Sequence, residues 1–226
     1  LQGVVMLSIK HLFLKYTREF YALYDINLEV ADGEKVAFVG ADNSGKTSLL
    51  RIISKLEKPT KGEIYLKDSP LKKVNFRSDI SAGYVPASPV FLENKTVYEN
   101  FKYILNERKI APAEIESKIN EAVIEFSLEK IKDEKISNLS VEEKYILSLI
   151  RLSFRKLDFL MIDNIFENLS DFYIEVIEEI LEKLVQPSTT LIVATTDEKI
   201  ADRFCKRKIY FKSGSIVSAG EYNSED

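Results

Sequence analysis

Gly40-Ala41-Asp42-Asn43-Ser44-Gly45-Lys46-Thr47 decides the fold. The stretch satisfies G-x-x-x-x-G-K-[ST], a spacing in which each fixed position has a chemical reason. Glycines let consecutive backbone N–H groups curl around phosphate oxygens. A helix that begins here points its positive end at the anion. Lys46 then reaches the outer phosphates, and the Thr47 hydroxyl suits a magnesium ion. Asn43 stands where a third glycine often sits, and asparagine tolerates left-handed backbone. The flanks agree with this reading. Residues 34–39 form a short apolar run closed by Gly40, and 44–56 space Leu49, Leu50, Ile52 and Ile53 as a helix does. Gly40, Asp42, Asn43, Ser44, Gly45, Lys46, Thr47 and Ser48 are therefore candidate nucleotide-binding residues.

A phosphate loop of this kind needs an acid at the end of another apolar strand. Leu160-Met161-Ile162-Asp163 supplies one. Asp163 alone would read equally well as a strand terminus, but beside Thr47 it becomes the expected second magnesium ligand, directly or through water.

The surrounding pattern extends the reading to the whole chain. Residues 6–10 and 24–30 have strand character. From 96 to about 157 the chain is helical, with Val97, Phe101, Ile104 and Leu105 on one face and Pro112 in the first turn of a second helix. Ser140-Val141-Glu142-Glu143 fits a capping box ahead of Tyr145, Ile146, Leu149 and Ile150. Two continuous apolar runs, 159–162 and 190–193, predict buried parallel strands with a helix over 171–185 between them. Strand–helix alternation around an all-helical insert predicts an α/β fold with a helical subdomain at about 88–157 in a single domain, 1–226.

Composition narrows the function. The 226 residues carry 32 Lys+Arg, 36 Asp+Glu and a net charge of −4. No long basic run accompanies that balance, so nucleic acid is not the expected partner. His11 is the only histidine and Cys205 the only cysteine, which excludes an internal disulfide, a CxxC site and any multi-histidine metal site. A lone cysteine suits a reducing compartment. No stretch approaches the roughly 18 apolar residues of a membrane span, and no signal peptide opens the chain. Leu1-Gln2-Gly3 reads as a cloning remnant, with a native start near Met6.

A GTPase would carry N-K-x-D, which is missing, and a small-metabolite kinase would carry arginines on a lid, where the long middle segment has few, Arg108, Arg151 and Arg155. The order of motifs resembles the ATP-binding cassette (ABC) family, from about Leu7 to Gly220. Leu14-Lys15-Tyr16 and 22–28 resemble its first strands, Pro59-Thr60-Lys61-Gly62-Glu63-Ile64 its G-E-I strand, Gly83-Tyr84-Val85-Pro86 the approach to its helical part, and 213–220 its closing hairpin. The resemblance implies a P-loop NTPase cassette: a RecA-like mixed/parallel sheet core, an N-terminal antiparallel β-subdomain and a helical subdomain. It also implies ATP and Mg²⁺ as ligands, with Tyr16 stacking on adenine; a core tyrosine is the other reading of Tyr16.

Against the family pattern, the hydrolytic positions are altered. Asn164 stands where a glutamate activates water. Thr196 replaces the switch histidine, and His11, in the first strand region, is no substitute. Ala87 replaces the glutamine that opens the helical subdomain, although Ser88 could reach instead. The signature L-S-G-G-Q is Leu139-Ser140-Val141-Glu142-Glu143, in which Ser140 is free to cap a helix or touch phosphate, capping being favoured. Glu167-Asn168-Leu169-Ser170 lacks the D-loop aspartate. The expectation is therefore an ABC transporter ATP-binding subunit that binds MgATP and hydrolyses it poorly alone. It would pair as a homodimer or heterodimer and sit at the cytoplasmic membrane face on separately encoded permeases. Residues 86–98, with Pro89, Val90, Phe91 and Leu92, would dock there or pack locally. The alternatives are a non-hydrolytic ATP-binding regulatory or scaffold module and, less favoured, a soluble cassette acting on DNA or ribosomes.

Overall fold

The computed structural model describes residues 4–17, 19–76 and 78–223; Leu1-Gln2-Gly3 lie outside the described residues. Two compact units divide the chain. One comprises 1–87, 157–167 and 185–226; the other comprises 88–156 and 168–184. The second unit therefore takes in a segment, 168–184, beyond the helical stretch that the sequence pattern marked.

The first unit holds two sheets. Strands β1 (Val5–Lys15), β2 (Tyr21–Ala31), β4 (Lys61–Leu66) and β5 (Ser69–Pro70) form an antiparallel sheet in the order β2-β1-β4-β5. β1 and β2 are longer than the apolar alternation in the sequence suggested. Register shifts, with left-handed residues at His11 (φ 48°) and Asp25 (φ 47°), let the ladder continue past polar interruptions. The sole histidine sits on such a bulge at the surface, its Nδ1 2.8 Å from the Asp25 carboxylate.

The other sheet adds β3 (Lys35–Val39), β6 (Ala82–Val85), β7 (Phe159–Asp163), β8 (Thr190–Thr195), β9 (Arg207–Lys212) and β10 (Ser215–Val217). Its order is β10-β9-β3-β8-β7-β6, with all neighbours parallel except the β9–β10 hairpin. Every residue of β7 and β8 is buried, as strands covered on both faces require. Helix α1 (Lys46–Ile53) buries Leu49, Leu50, Ile52 and Ile53. Those side chains join Phe38, Phe159, Met161 and Phe211 and the inward residues of β1 and β2 in one apolar core. Phe38 and Phe211 meet with centroids 5.1 Å apart. At the hairpin, the Tyr24 N–H donates to the Gly214 carbonyl at 2.8 Å, tying the two sheets together.

The second unit is helical: α2 (Val97–Glu107), α3 (Pro112–Glu125), α4 (Val141–Ile150) and α5 (Asp171–Leu184). α2 is capped by Thr96 and Glu99, α4 by Ser140 and Glu143, each pair bonding reciprocally. Pro112 sits in the first turn of α3, where its missing N–H costs nothing. Phe101 of α2 packs edge-on against Phe154 at 5.2 Å. In the first unit, α6 (Glu198–Phe204) and α7 (Ala219–Asn223) complete the chain.

Cys205, at the end of α6, is buried, and burial pushes its thiol up to about 12. At pH 8 essentially no thiolate is present, and thiolate is the nucleophile. Iodoacetamide at pH 8 is expected to leave the folded protein unmodified and to alkylate Cys205 quantitatively once guanidinium unfolds the chain, as mass spectrometry would read.

Candidate functional site

The site grows from three neighbouring strand ends. β3 pairs with β8 and β8 with β7, all parallel, so Val39, Thr195 and Asp163 finish side by side. The Gly40 N–H donates to the Thr195 carbonyl at 3.3 Å, and the Asn164 N–H to the Ala194 carbonyl at 3.0 Å. The C-terminal edge of a parallel sheet is where such folds place ligands.

Between β3 and α1 the chain makes a tight loop. Asn43 (φ 61°) and Gly45 (φ 108°) are both left-handed, which turns successive N–H groups inward. A Cβ on Gly45 would lie 2.9 Å from the Ala22 carbonyl and 2.9 Å from a Leu23 methyl; one on Gly40 would lie 2.5 Å from the Phe211 carbonyl and 2.6 Å from the Ser44 hydroxyl. Both positions therefore admit only glycine. Lys46 folds back inside the loop, donating to the Gly40 carbonyl at 2.6 Å, the Ala41 carbonyl at 2.9 Å and the Ser44 hydroxyl at 3.2 Å. Burial pulls its ammonium below the ordinary lysine range, and the Asp42, Asp163 and Glu167 carboxylates pull it back up.

The Thr47 hydroxyl donates to one oxygen of Asp163 at 2.8 Å, and the Tyr84 phenol of β6 donates to the other at 2.9 Å. Burial raises the Asp163 pKa against those bonds and the Lys46 charge. The same burial, with the carboxylate, pushes the Tyr84 phenol up. Two hard oxygens, a hydroxyl and a desolvated carboxylate, thus adjoin the anion loop. They fit a magnesium ion, which takes one or two carboxylates and leaves its other positions to water and phosphate. No cluster of three or more histidine, cysteine or acidic side chains occurs among the described residues, and magnesium requires none.

The cavity above the loop has a volume of about 540 Å³ and is lined by Tyr16, Phe20, Ala22, Asp42, Asn43, Ser44, Gly45, Lys46, Thr47, Ser48 and Asn164. Tyr16 is 54% exposed, so the reading of it as a core tyrosine is corrected: β1 ends at Lys15 and releases the ring onto the cavity. Its phenol reaches the Ser48 hydroxyl at 3.2 Å and the Glu57 carboxylate at 3.3 Å. Asn164 (φ 52°) lines the cavity, and its buried Oδ1 has no hydrogen-bond partner among the described residues.

The other altered positions have different surroundings. The Thr196 hydroxyl, just past β8, donates to a Glu167 carboxylate oxygen at 3.2 Å. Ala87, two residues after β6, carries no polar side-chain atom. In the helical unit, the Glu143 N–H donates to the Ser140 hydroxyl at 3.2 Å and the Ser140 N–H to the Glu143 carboxylate at 2.8 Å. Ser140 is thus an N-cap. The sequence assigns no role to Phe20, Tyr84 or Glu167, although Tyr84 and Glu167 lie in segments that match the family; for Phe20 the one signal is its position four residues after Tyr16.

The comparisons with known proteins agree with this geometry. The family model described as ABC transporter matches residues 23–167. The oligosaccharides import ATP-binding protein MsmX of Bacillus subtilis is 28% identical over 95% of this chain and 59% of its own length. The ABC transporter ATP-binding protein YxdL of the same organism is 26% identical over 94% of this chain and 86% of its own length. The chain thus spans less than two thirds of MsmX but most of YxdL. Among solved structures, the dimeric bacterial ABC transporter cassette MJ0796 superposes with a TM-score of 0.82 at 27% identity, covering 94% of this chain and 97% of that one. A family model covering the phosphate loop and Asp163 together, with the same fold, leads to one statement: this chain belongs to the ABC transporter family.

Proposed function

We propose that this chain is an ABC transporter's ATP-binding subunit that holds MgATP at 40–48 and hydrolyses it poorly or not at all by itself. The observation that carries the second half is Asn164. The residue lines the cavity beside the Thr47–Asp163 pair, with a buried carboxamide oxygen that no described protein group satisfies. A carboxamide has no basic site to take a proton from water, and the oxygen of this one is closed off from solvent. A general base is worth about 10²–10⁴ in rate, or roughly 3–5 kcal/mol of barrier.

In this reading the loop amides and Lys46 bind the phosphates, Lys46 exchanging its bonds to Gly40, Ala41 and Ser44 for phosphate oxygens. Tyr16 supplies a stacking face for adenine. Thr47 and Asp163 hold magnesium, which when bound offsets the charge on the outer phosphates. Thr196 and Ala87 offer neither an imidazole nor a carboxamide. At α4, Ser140 and Glu143 satisfy one another, and Glu142 and Glu143 would oppose an incoming polyanion. The helical unit would be a subdomain of a single ATP-binding domain.

The partners follow from the relatives. A second cassette, identical or different, would pair with this one, as MJ0796 is dimeric. Separately encoded permeases would hold the chain at the cytoplasmic membrane face; no helix among the described residues is long and apolar enough to cross a membrane. The docking segment would be 86–98, where Val90 is 66% and Leu92 45% exposed, while Phe91 packs locally under Arg151 at 4.8 Å. The self-capped α4 N-terminus also favours a second reading, an ATP-binding regulatory module with no turnover, which would purify with a soluble partner rather than with membranes.

Phosphate release from MgATP by the purified chain, against Lys46→Ala as background, tests the proposal. The expected rate is within about twofold of that background, because the missing base alone removes about 10²–10⁴. Turnover a hundredfold above it would overturn the hydrolysis-poor reading.

A further inference from the structure

We infer that Phe20 is a second wall of the nucleobase site, so that a nucleoside triphosphate is held with its base between the Tyr16 and Phe20 rings. The inference rests on the reading of 40–48 as a nucleotide-phosphate loop and adds a residue that determines how the base is gripped.

Both rings line the cavity whose floor is that loop. Their centroids are 6.4 Å apart and their planes are inclined by only 19°. A flat ring in van der Waals contact with two others, at about 3.5 Å each, needs a gap of about 7 Å. The centroid separation of 6.4 Å is shorter than that, so the two near-parallel rings must part to admit a base. The backbone keeps the rings in step: the Tyr16 N–H donates to the Phe20 carbonyl at 3.1 Å, and the Phe20 N–H to the Thr17 hydroxyl at 3.1 Å. The Tyr16 phenol is fixed to Ser48 on α1, so the base wall is tied to the helix that receives the phosphates.

Among the described residues, Phe20 has no structural partner ring other than Tyr16. It is 54% exposed and does not belong to the apolar core. Nearby, Phe13, Tyr21 and Tyr24 pack edge-to-face as a separate group. An exposed phenylalanine at the mouth of a polar cavity leaves apolar area in water that a base would cover. Ala22, small and at the cavity wall, leaves room for it. Stacking uses the π-face that every base has, so this grip favours nucleoside triphosphates as a class rather than adenine alone.

The chain contains no tryptophan, so Phe20→Trp introduces a single reporter on the wall itself. MgATP and MgGTP are expected to quench its fluorescence, and inorganic tripolyphosphate, which has no base, to bind without quenching. In calorimetry, Phe20→Ala is expected to weaken MgATP and MgGTP alike by about tenfold and to leave tripolyphosphate unchanged. An unchanged MgATP affinity in Phe20→Ala would overturn the inference, as would an equal loss for tripolyphosphate, which would mean that Phe20 supports the loop instead. If tripolyphosphate binds equally well to the wild type and to Lys46→Ala, the phosphate-loop reading itself has failed, and that outcome is distinct from failure at Phe20.

Discussion

Lys46→Ala is expected to weaken MgATP binding by about 10²–10⁴-fold in calorimetry, the loss of two charge-assisted hydrogen bonds to phosphate at roughly 1.5–3 kcal/mol each. The fold should survive the change. Lys46 is buried, yet its three partners, the Gly40 and Ala41 carbonyls and the Ser44 hydroxyl, all belong to its own loop beside the cavity. Water can reach these groups when the ammonium is gone, so no polar group is stranded in the apolar core. The melting temperature is expected to move by only a few degrees while affinity collapses. An affinity unchanged by the substitution would sink the phosphate-loop reading, and with it the assignment of Thr47 and Asp163 to magnesium.

That loop was the most legible part of the molecule because its chemistry is local. Glycine spacing, a lysine and a hydroxyl within eight residues carry their own geometry. The acid at Asp163 needed one long-range assumption, that two apolar runs lie in one sheet, and their uniform burial supports it. Strand order is another matter. Nothing in the sequence says that β6 follows β7 at the sheet edge, so the bond from the Tyr84 phenol to Asp163 was invisible. Phe20 was missed for a related reason. Its ring meets Tyr16 only once the Tyr16 N–H has bonded to the Phe20 carbonyl, and an exposed phenylalanine between two strands leaves no periodic trace. The inclusion of 168–184 with the helices likewise depends on packing between distant segments. The capping box at Ser140, by contrast, is a four-residue pattern and was readable directly.

The same contrast governs what can be restored. Asn164→Glu alone is expected to leave phosphate release within about tenfold of wild type. The backbone at 164 is left-handed (φ 52°), which suits asparagine better than glutamate. The Asn164 oxygen is buried without a donor to receive it, so a carboxylate there would be desolvated and its pKa raised. Nor would it meet a histidine, because Thr196 is engaged with Glu167. Joining Asn164→Glu to Thr196→His, Ala87→Gln, Val141→Gly, Glu142→Gly and Glu143→Gln supplies the base, the switch histidine, the glutamine and the signature of the family pattern, and leaves only the D-loop aspartate missing. Glutamine at 143 keeps the capping box with Ser140, so α4 should still start in the same place. This combined variant is expected to release phosphate about 10²–10⁴ times faster than the wild type, with effects well short of additive because the groups act as one unit. Full turnover from Asn164→Glu by itself would place the whole defect at a single residue and make the carboxylates at 142 and 143 irrelevant to it.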